Sequence, residues 1–359
     1  MTRALTSAPA TVPTFPSAPA WLAEHTAKAR KRRRAEGTAA NTLRALEAAA
    51  RVFSAWCQDR GLDWLPASPE AVALFIDEYG SGNWTAPDAR AGGRKATETG
   101  ASVATVKARV SGINALHRSY DLTPPGSSEI VREALKALAK TKGTRQRQAE
   151  GLTADIVARM IDSIEADAKQ IDPATKSGTK ALQIAHRDAA LIALAYDTLA
   201  RRSEIEAMTA ENIIADADGS ASVHIERGKT DQTGKGRLAY IAPATRILLN
   251  RWTDVAEIDN GPLFRSIGPN ASGAALSGDD IARIYRRRAI AAGIDNAERI
   301  TGHSARVGFV QDAEAEGVDM LAIQQAGGWA SPAMPYRYGE RMAVKRGAAA
   351  QLAVKQGRV

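Results

Sequence analysis

Between about residues 38 and 140, apolar side chains return every three or four positions in four separate runs. Leu43, Leu46, Ala50, Phe53, Trp56 and Cys57 line the first stripe; Val72, Phe75, Ile76 and Tyr79 the second; Val103, Val106, Val110, Ile113 and Leu116 the third; Ile130, Val131, Leu135 and Leu138 the fourth. This is the period of the α-helix, so each run predicts a helix with one face to hide. Four such helices must bury their stripes on one another, which predicts an all-helical N-terminal domain. Trp64-Leu65-Pro66 and Pro124-Pro125-Gly126 read as turns between them, and residues 80–101, with Gly80, Gly82, Pro87, Gly92 and Gly93, as a long loop.

From 141 to 151 the apolar periodicity stops and Lys, Arg, Gln, Thr and Gly take over, which reads as an interdomain linker. Residues 152–164 and 181–199 read as helices again, 222–226 and 237–241 as short strands joined by a polar loop, and most of the remainder as helix. The expected layout is a disordered lead-in at 1–20, rich in Ala, Pro, Thr and Ser, a helical domain at 21–145, and a second domain at 146–359. The fold class is mainly α, with a small antiparallel sheet in the second domain.

The formal charge of +8 calls for a polyanionic partner. It is unevenly placed: residues 1–150 carry 22 Lys and Arg against 14 Asp and Glu, whereas the rest holds 26 of each. One cysteine, Cys57, excludes internal disulfides and a Cys-based zinc site and suits a reducing compartment, so cytoplasm is expected. No apolar run reaches the length of a membrane span, and the first residues lack the order of a signal peptide.

The chemistry concentrates late in the chain. His303-Ser304-Ala305-Arg306 is followed by Gly327-Gly328-Trp329 and by Tyr336-Arg337-Tyr338, a set suited to attack on a phosphodiester with no metal cluster beside it. Upstream, Arg201 follows a buried apolar run, with Glu204 one helical turn on to orient its guanidinium. Gly228-Lys229-Thr230 superficially resembles the tail of a nucleotide-binding loop, but the earlier glycine that loop requires would fall at Val223, inside a strand. A lysine at a strand turn can instead reach a bound backbone, and Lys235 is similarly placed. Singly, each of these has a plainer reading as an ion pair, a solvated turn lysine or a core aromatic; no plain reading explains all of them in one order. The run Lys28 to Arg34, including Arg32, Arg33 and Arg34, reads as a solvated charge run, a phosphate-binding arm or part of a first helix tracking DNA, and the basic faces that follow favour DNA. Arg44 and Arg51 on one helix, Lys107, Arg109 and Arg118 on another, Arg94 and Lys95 in the loop, and Thr105 nearby complete the expected DNA contacts.

The order Arg201, Lys229, His303-x-x-Arg306, Trp329, Tyr338 resembles the tyrosine recombinases. HSARVG at 303–308 and QAGGW at 325–329 carry the likeness most specifically, and it extends over roughly residues 38–350. The resemblance implies that Tyr338, nine residues after Trp329, is the nucleophile, although Tyr336 offers a second phenol two residues away. It implies that Arg201 and Arg306 neutralise the phosphate, Lys229 protonates the leaving group, His303 assists proton transfer, Trp329 completes the pocket, and Glu204 supports Arg201. Implied too are a 3′-phosphotyrosine intermediate, a Holliday junction, no cofactor, metal or ATP, and target DNA with paired inverted repeats held between two domains. A homotetramer formed by exchanging the C-terminal helix, whose apolar set would be Met342, Ala349, Leu352 and Val354, is the implied assembly. A telomere resolvase, a type IB topoisomerase-like strand transferase and a non-cleaving DNA-binding regulator are the competing readings.

Overall fold

A computed structural model describes residues 40–86, 100–145, 148–226, 236–268 and 273–358. The expected lead-in, Arg32, Arg33, Arg34, Arg94, Lys95, Lys229 and Lys235 lie outside the described residues. The chain divides into two compact units, Met1–Gln146 and Arg147–Val359.

Among its described residues the first unit holds four α-helices: α1 (Ala40–Gln58), α2 (Pro69–Ser81), α3 (Val103–Ser119) and α4 (Glu129–Lys142). Ser68 and Ser102 cap α2 and α3 by accepting the amides of Ala71 and Thr105, satisfying groups a helix start leaves open. The core is aromatic. Phe75 meets Phe53 and Trp56 edge-on, with centroids 5.2 and 5.6 Å apart, and the Trp56 indole donates to Glu78 at 2.8 Å. Gly112 lets α3 approach α1 closely, since a Cβ there would lie 2.4 Å from that of Ala49. His117 is buried, donating through Nδ1 to Ile113 O and accepting the Ala67 amide at Nε2.

Two expected stripe residues stand outside the core: Leu43 is 42% exposed and Ile130 is 40% exposed. Both sit in the first turn of a helix, which no described helix covers, and Ala49, Val52 and Ala134 fill the buried faces instead. Helix α2 also runs past the expected loop start. Gly80 stays helical because its bare Cα receives Leu138, and Gly82, at φ 93°, closes the helix in the left-handed conformation.

The second unit is mostly helical with one small sheet: α5 (Ala154–Ala168), α6 (Lys176–Thr198), α7 (Arg202–Ala207), β1 (Ile213–Ala215), β2 (Ala221–Ile225), β3 (Arg237–Ile241), α8 (Pro243–Val255), α9 (Gly278–Ala291), α10 (Ser304–Glu316), α11 (Met320–Ala326), α12 (Ala333–Arg346) and α13 (Ala348–Lys355). The sheet is antiparallel in the order β1-β2-β3, with Ser222 opposite both Ile214 and Tyr240. β1 escapes sequence reading because three residues are too few to show alternation. Helix α6 is the axis of the unit, buried over most of Ala185–Ala195. Inside it Asp188 is fully buried and accepts from Arg187, Arg287 and Arg288, which offsets the cost of burying its charge. The C-terminal segment expected as one helix breaks at Gly347 into α12 and α13, and α13 leaves Leu352 and Val354 on the surface. Among the described residues no helix is long and apolar enough to cross a membrane.

Candidate active site

Helix α6 ends at Thr198, and Leu199 turns the chain at φ 49°, a left-handed conformation a bulky residue adopts only when its surroundings enforce it. The buried Leu199 side chain is held by Val310, Ala313 and Ile323, and the Thr198 hydroxyl donates back to Leu194 O at 2.7 Å. The turn releases Arg201 immediately before α7. Glu204, 5% exposed, pairs through Oε1 with the Arg201 guanidinium and accepts the Arg201 amide at 2.9 Å, so one carboxylate fixes both backbone and side chain.

Arg306 lies in the first turn of α10 and is 2% exposed. Its Nη1 donates to Leu199 O, its Nη2 to Gly327 O at 2.9 Å, and its Cζ lies 4.2 Å from the centre of the Trp329 ring. Burial, and then the neighbouring Arg201, push the Arg306 pKa down to about 10, which still leaves it charged at neutral pH. The glycines of the GGW run follow from this packing. A Cβ on Gly327 would collide with the Trp329 ring, and Gly328, at φ 61°, turns the chain back over Arg237.

Tyr338, on α12, meets Trp329 edge-on with centroids 6.0 Å apart and belongs to the same small apolar cluster as Leu199. It is partly buried and within electrostatic reach of Arg306. Tyr336 is 54% exposed. A residue two positions along a helix points about 200° away, so the two phenols cannot share one pocket. His303 stands exposed at the start of α10, just outside the helix and about one turn ahead of Arg306, its amide donating to the Thr301 hydroxyl at 3.2 Å.

Arg201, Glu204, Arg306, Trp329 and Tyr338 therefore converge from four distant stretches of chain. Two members of the neighbourhood had no signal in the sequence. Arg237, at the start of β3, reaches Glu204 at 3.5 Å. Gln148 donates to the backbone carbonyls of Arg337 and Tyr338 at 3.1 and 3.2 Å. The residues after Gln148 form a strap: Arg299 donates to Gln148 O and pairs with Glu150, the Leu152 amide donates to Ser304 O, and Leu152 O passes where a Cβ on Gly308 would stand. That explains the glycine in HSARVG.

In the first unit Arg44, Arg51, Lys107 and Arg118 are exposed, whereas Arg109 is partly buried and the Thr105 hydroxyl is paired with that of Ser102 at 2.9 Å.

The chain belongs to the phage integrase family, whose model matches residues 164–343, and it is a tyrosine site-specific recombinase. It is 31% identical over 322 residues to an integrase/recombinase XerD homolog of Selenomonas ruminantium, covering 87% of this chain and 84% of that one. It is 26% identical over 331 residues to the Cre recombinase of Escherichia phage P1, with 87% of each covered. Among solved structures, the Tn1549 transposon integrase in complex with transposon right end DNA shares the fold at a TM-score of 0.57 and 14% identity, covering 89% of this chain and 98% of that one.

Proposed function

We propose that this recombinase cleaves and rejoins duplex DNA through Tyr338. The Tyr338 oxygen attacks the scissile phosphorus, forming a 3′-phosphotyrosine while the bond to the 5′ oxygen breaks. The phenol proton passes toward His303, and Lys229 supplies a proton to the departing 5′ oxygen. The new ester keeps the energy of the old one, so a 5′-hydroxyl from a second duplex reverses the step without ATP, and one exchanged strand pair leaves a Holliday junction. Arg201 and Arg306 neutralise the nonbridging oxygens as charge builds, and Trp329 donates to one of them through its indole N–H.

The observation that carries this reading is the buried charge: Arg201, Arg237 and Arg306 gather around one carboxylate, Glu204, beside a half-buried phenol. Uncompensated buried cations are costly, and an incoming phosphate relieves the cost. The basic first unit would hold the duplex through Arg44, Arg51, Lys107 and Arg118, with four copies joined on paired inverted repeats through the C-terminal helix, in the cytoplasm.

The test is covalent capture from a pool of nicked duplexes of randomised sequence. Wild-type protein should yield 3′-linked adducts from a recoverable target; Tyr336→Phe should retain them and Tyr338→Phe should give none. Tight binding with no adduct would leave a non-cleaving DNA-binding protein, and adducts that relax supercoiled plasmid without exchanging two sites would favour the topoisomerase-like reading.

A further inference from the structure

Glu204 meets two guanidinium groups, Arg201 and Arg237, and Arg237 is no part of the order that marks the family. Its Nη1 donates to Ala326 O at 2.9 Å and its Nη2 to Thr198 O at 3.0 Å, with Glu204 Oε2 3.5 Å away. Arg306 makes the same bridge one residue along each turn, to Leu199 O and Gly327 O. Two guanidinium groups thus join consecutive carbonyls of the turn that delivers Arg201 to consecutive carbonyls of the turn that delivers Trp329. The Arg237 side chain is only 17% exposed, and its stem fills the space a Cβ on Gly328 would take, 2.9 Å from Cδ. Unlike Arg306, whose ring partner is Trp329, Arg237 adds to its two carbonyls the Glu204 carboxylate that also holds Arg201, so it ties the Arg201 support to the frame.

We propose that Arg237 is a positioning residue for strand cleavage: by holding Glu204 and riveting residues 198 and 326, it sets the distance at which Arg201 and Arg306 meet the scissile phosphate. The proposal rests on the reading of those two arginines as phosphate clamps. A displacement of about an ångström at a reacting centre costs on the order of 10²-fold in rate, so a residue that never touches DNA can control cleavage.

The probe is the nicked duplex recovered by covalent capture, prepared with the normal scissile phosphate or with a methylphosphonate there, whose ester carries no charge to neutralise. Single-turnover cleavage at saturating duplex is compared for wild type, Arg201→Ala, Arg237→Met and Arg237→Lys. Methionine keeps the stem over Gly328 and removes every donor. Arg237→Met should cleave the phosphate roughly 10- to 100-fold slower than wild type at unchanged duplex affinity, yet match wild type within about threefold on the methylphosphonate. Arg237→Lys, which retains charge without the fork, should fall between them. Wild-type cleavage of the phosphate by Arg237→Met, or an equal loss on both duplexes, overturns the proposal. Should Arg237→Met fail to fold, the lysine variant is judged by the same two comparisons. Full activity of Arg201→Ala on the phosphate would instead overturn the clamp reading itself.

Discussion

Arg306 commits both terminal nitrogens to backbone carbonyls while its flat face lies under Trp329. Lysine offers a point charge on a flexible stem and cannot bridge two carbonyls and stack at once. Arg306→Lys should therefore lower the thermal midpoint and slow adduct formation by about 10²-fold or more, read by a melting curve and by single-turnover cleavage; a variant normal in both would remove Arg306 from the cage. Cys57 makes a separate test of the first unit's core. Burial pushes its thiol up from 9.0 to about 11, and Asp63 adds to this against the pull of Arg60. Because the folded state favours the neutral thiol, its contribution to stability is complete below pH 9 and drains away as pH rises toward 11. At pH 8 a disulfide reagent should label the native protein far more slowly than the unfolded one; equal rates would contradict the buried position. The HSARVG and QAGGW runs stood out in the sequence because each is a short continuous stretch, whereas Arg201 and Tyr338 were picked out only by their place in the family's order. Arg237 was not, since a cation opening a strand has the same sequence signature whether it faces solvent or a carboxylate three elements away.

Helical elements were legible where a stripe is long enough to show its period, and illegible at their ends. Leu43 and Ile130 continue the period into exposed first turns, while Gly80 and Gly347 reverse the usual reading of glycine, one remaining inside a helix and the other splitting an expected one. Close approach is likewise invisible until the elements are placed. Gly112→Val should destabilise the first unit by about 1–3 kcal/mol, because α1 has no room for the side chain; chemical denaturation of the full chain checks this, and unchanged stability would mean the helices stand further apart. In the second unit Gln148→Ala should slow cleavage at saturating DNA while leaving affinity unchanged, because it frees the backbone of the helix carrying Tyr338 without touching Arg201, Arg237 or Arg306. A loss of affinity with a normal cleavage rate would assign Gln148 to binding instead.

Across the whole molecule the charge is unevenly divided: the surplus lies in the first 150 residues, and Arg201, Arg237 and Arg306 lie in the rest. If exposed cations of α1 and α3 neutralise phosphates, Arg51→Ala and Lys107→Ala should weaken binding alike on target and unrelated duplex. Each should reduce the slope of log affinity against log salt by about 0.9. A loss confined to the target would make them base readers. Truncation before Ala348 should leave single-site binding and cleavage intact but prevent assembly of four copies on paired sites, judged by light scattering of the DNA complexes; assembly unimpaired would free Leu352 and Val354 from that role. Tertiary partnership of this kind leaves only an apolar face in the sequence, with nothing to say what covers it. The strap from Gln148 to Leu152 has its own consequence for dissection. It begins where the second unit begins, so a trimmed fragment starting a few residues later would keep Arg201, Arg306, Trp329 and Tyr338 and still lose the ruler that holds the Tyr338 backbone.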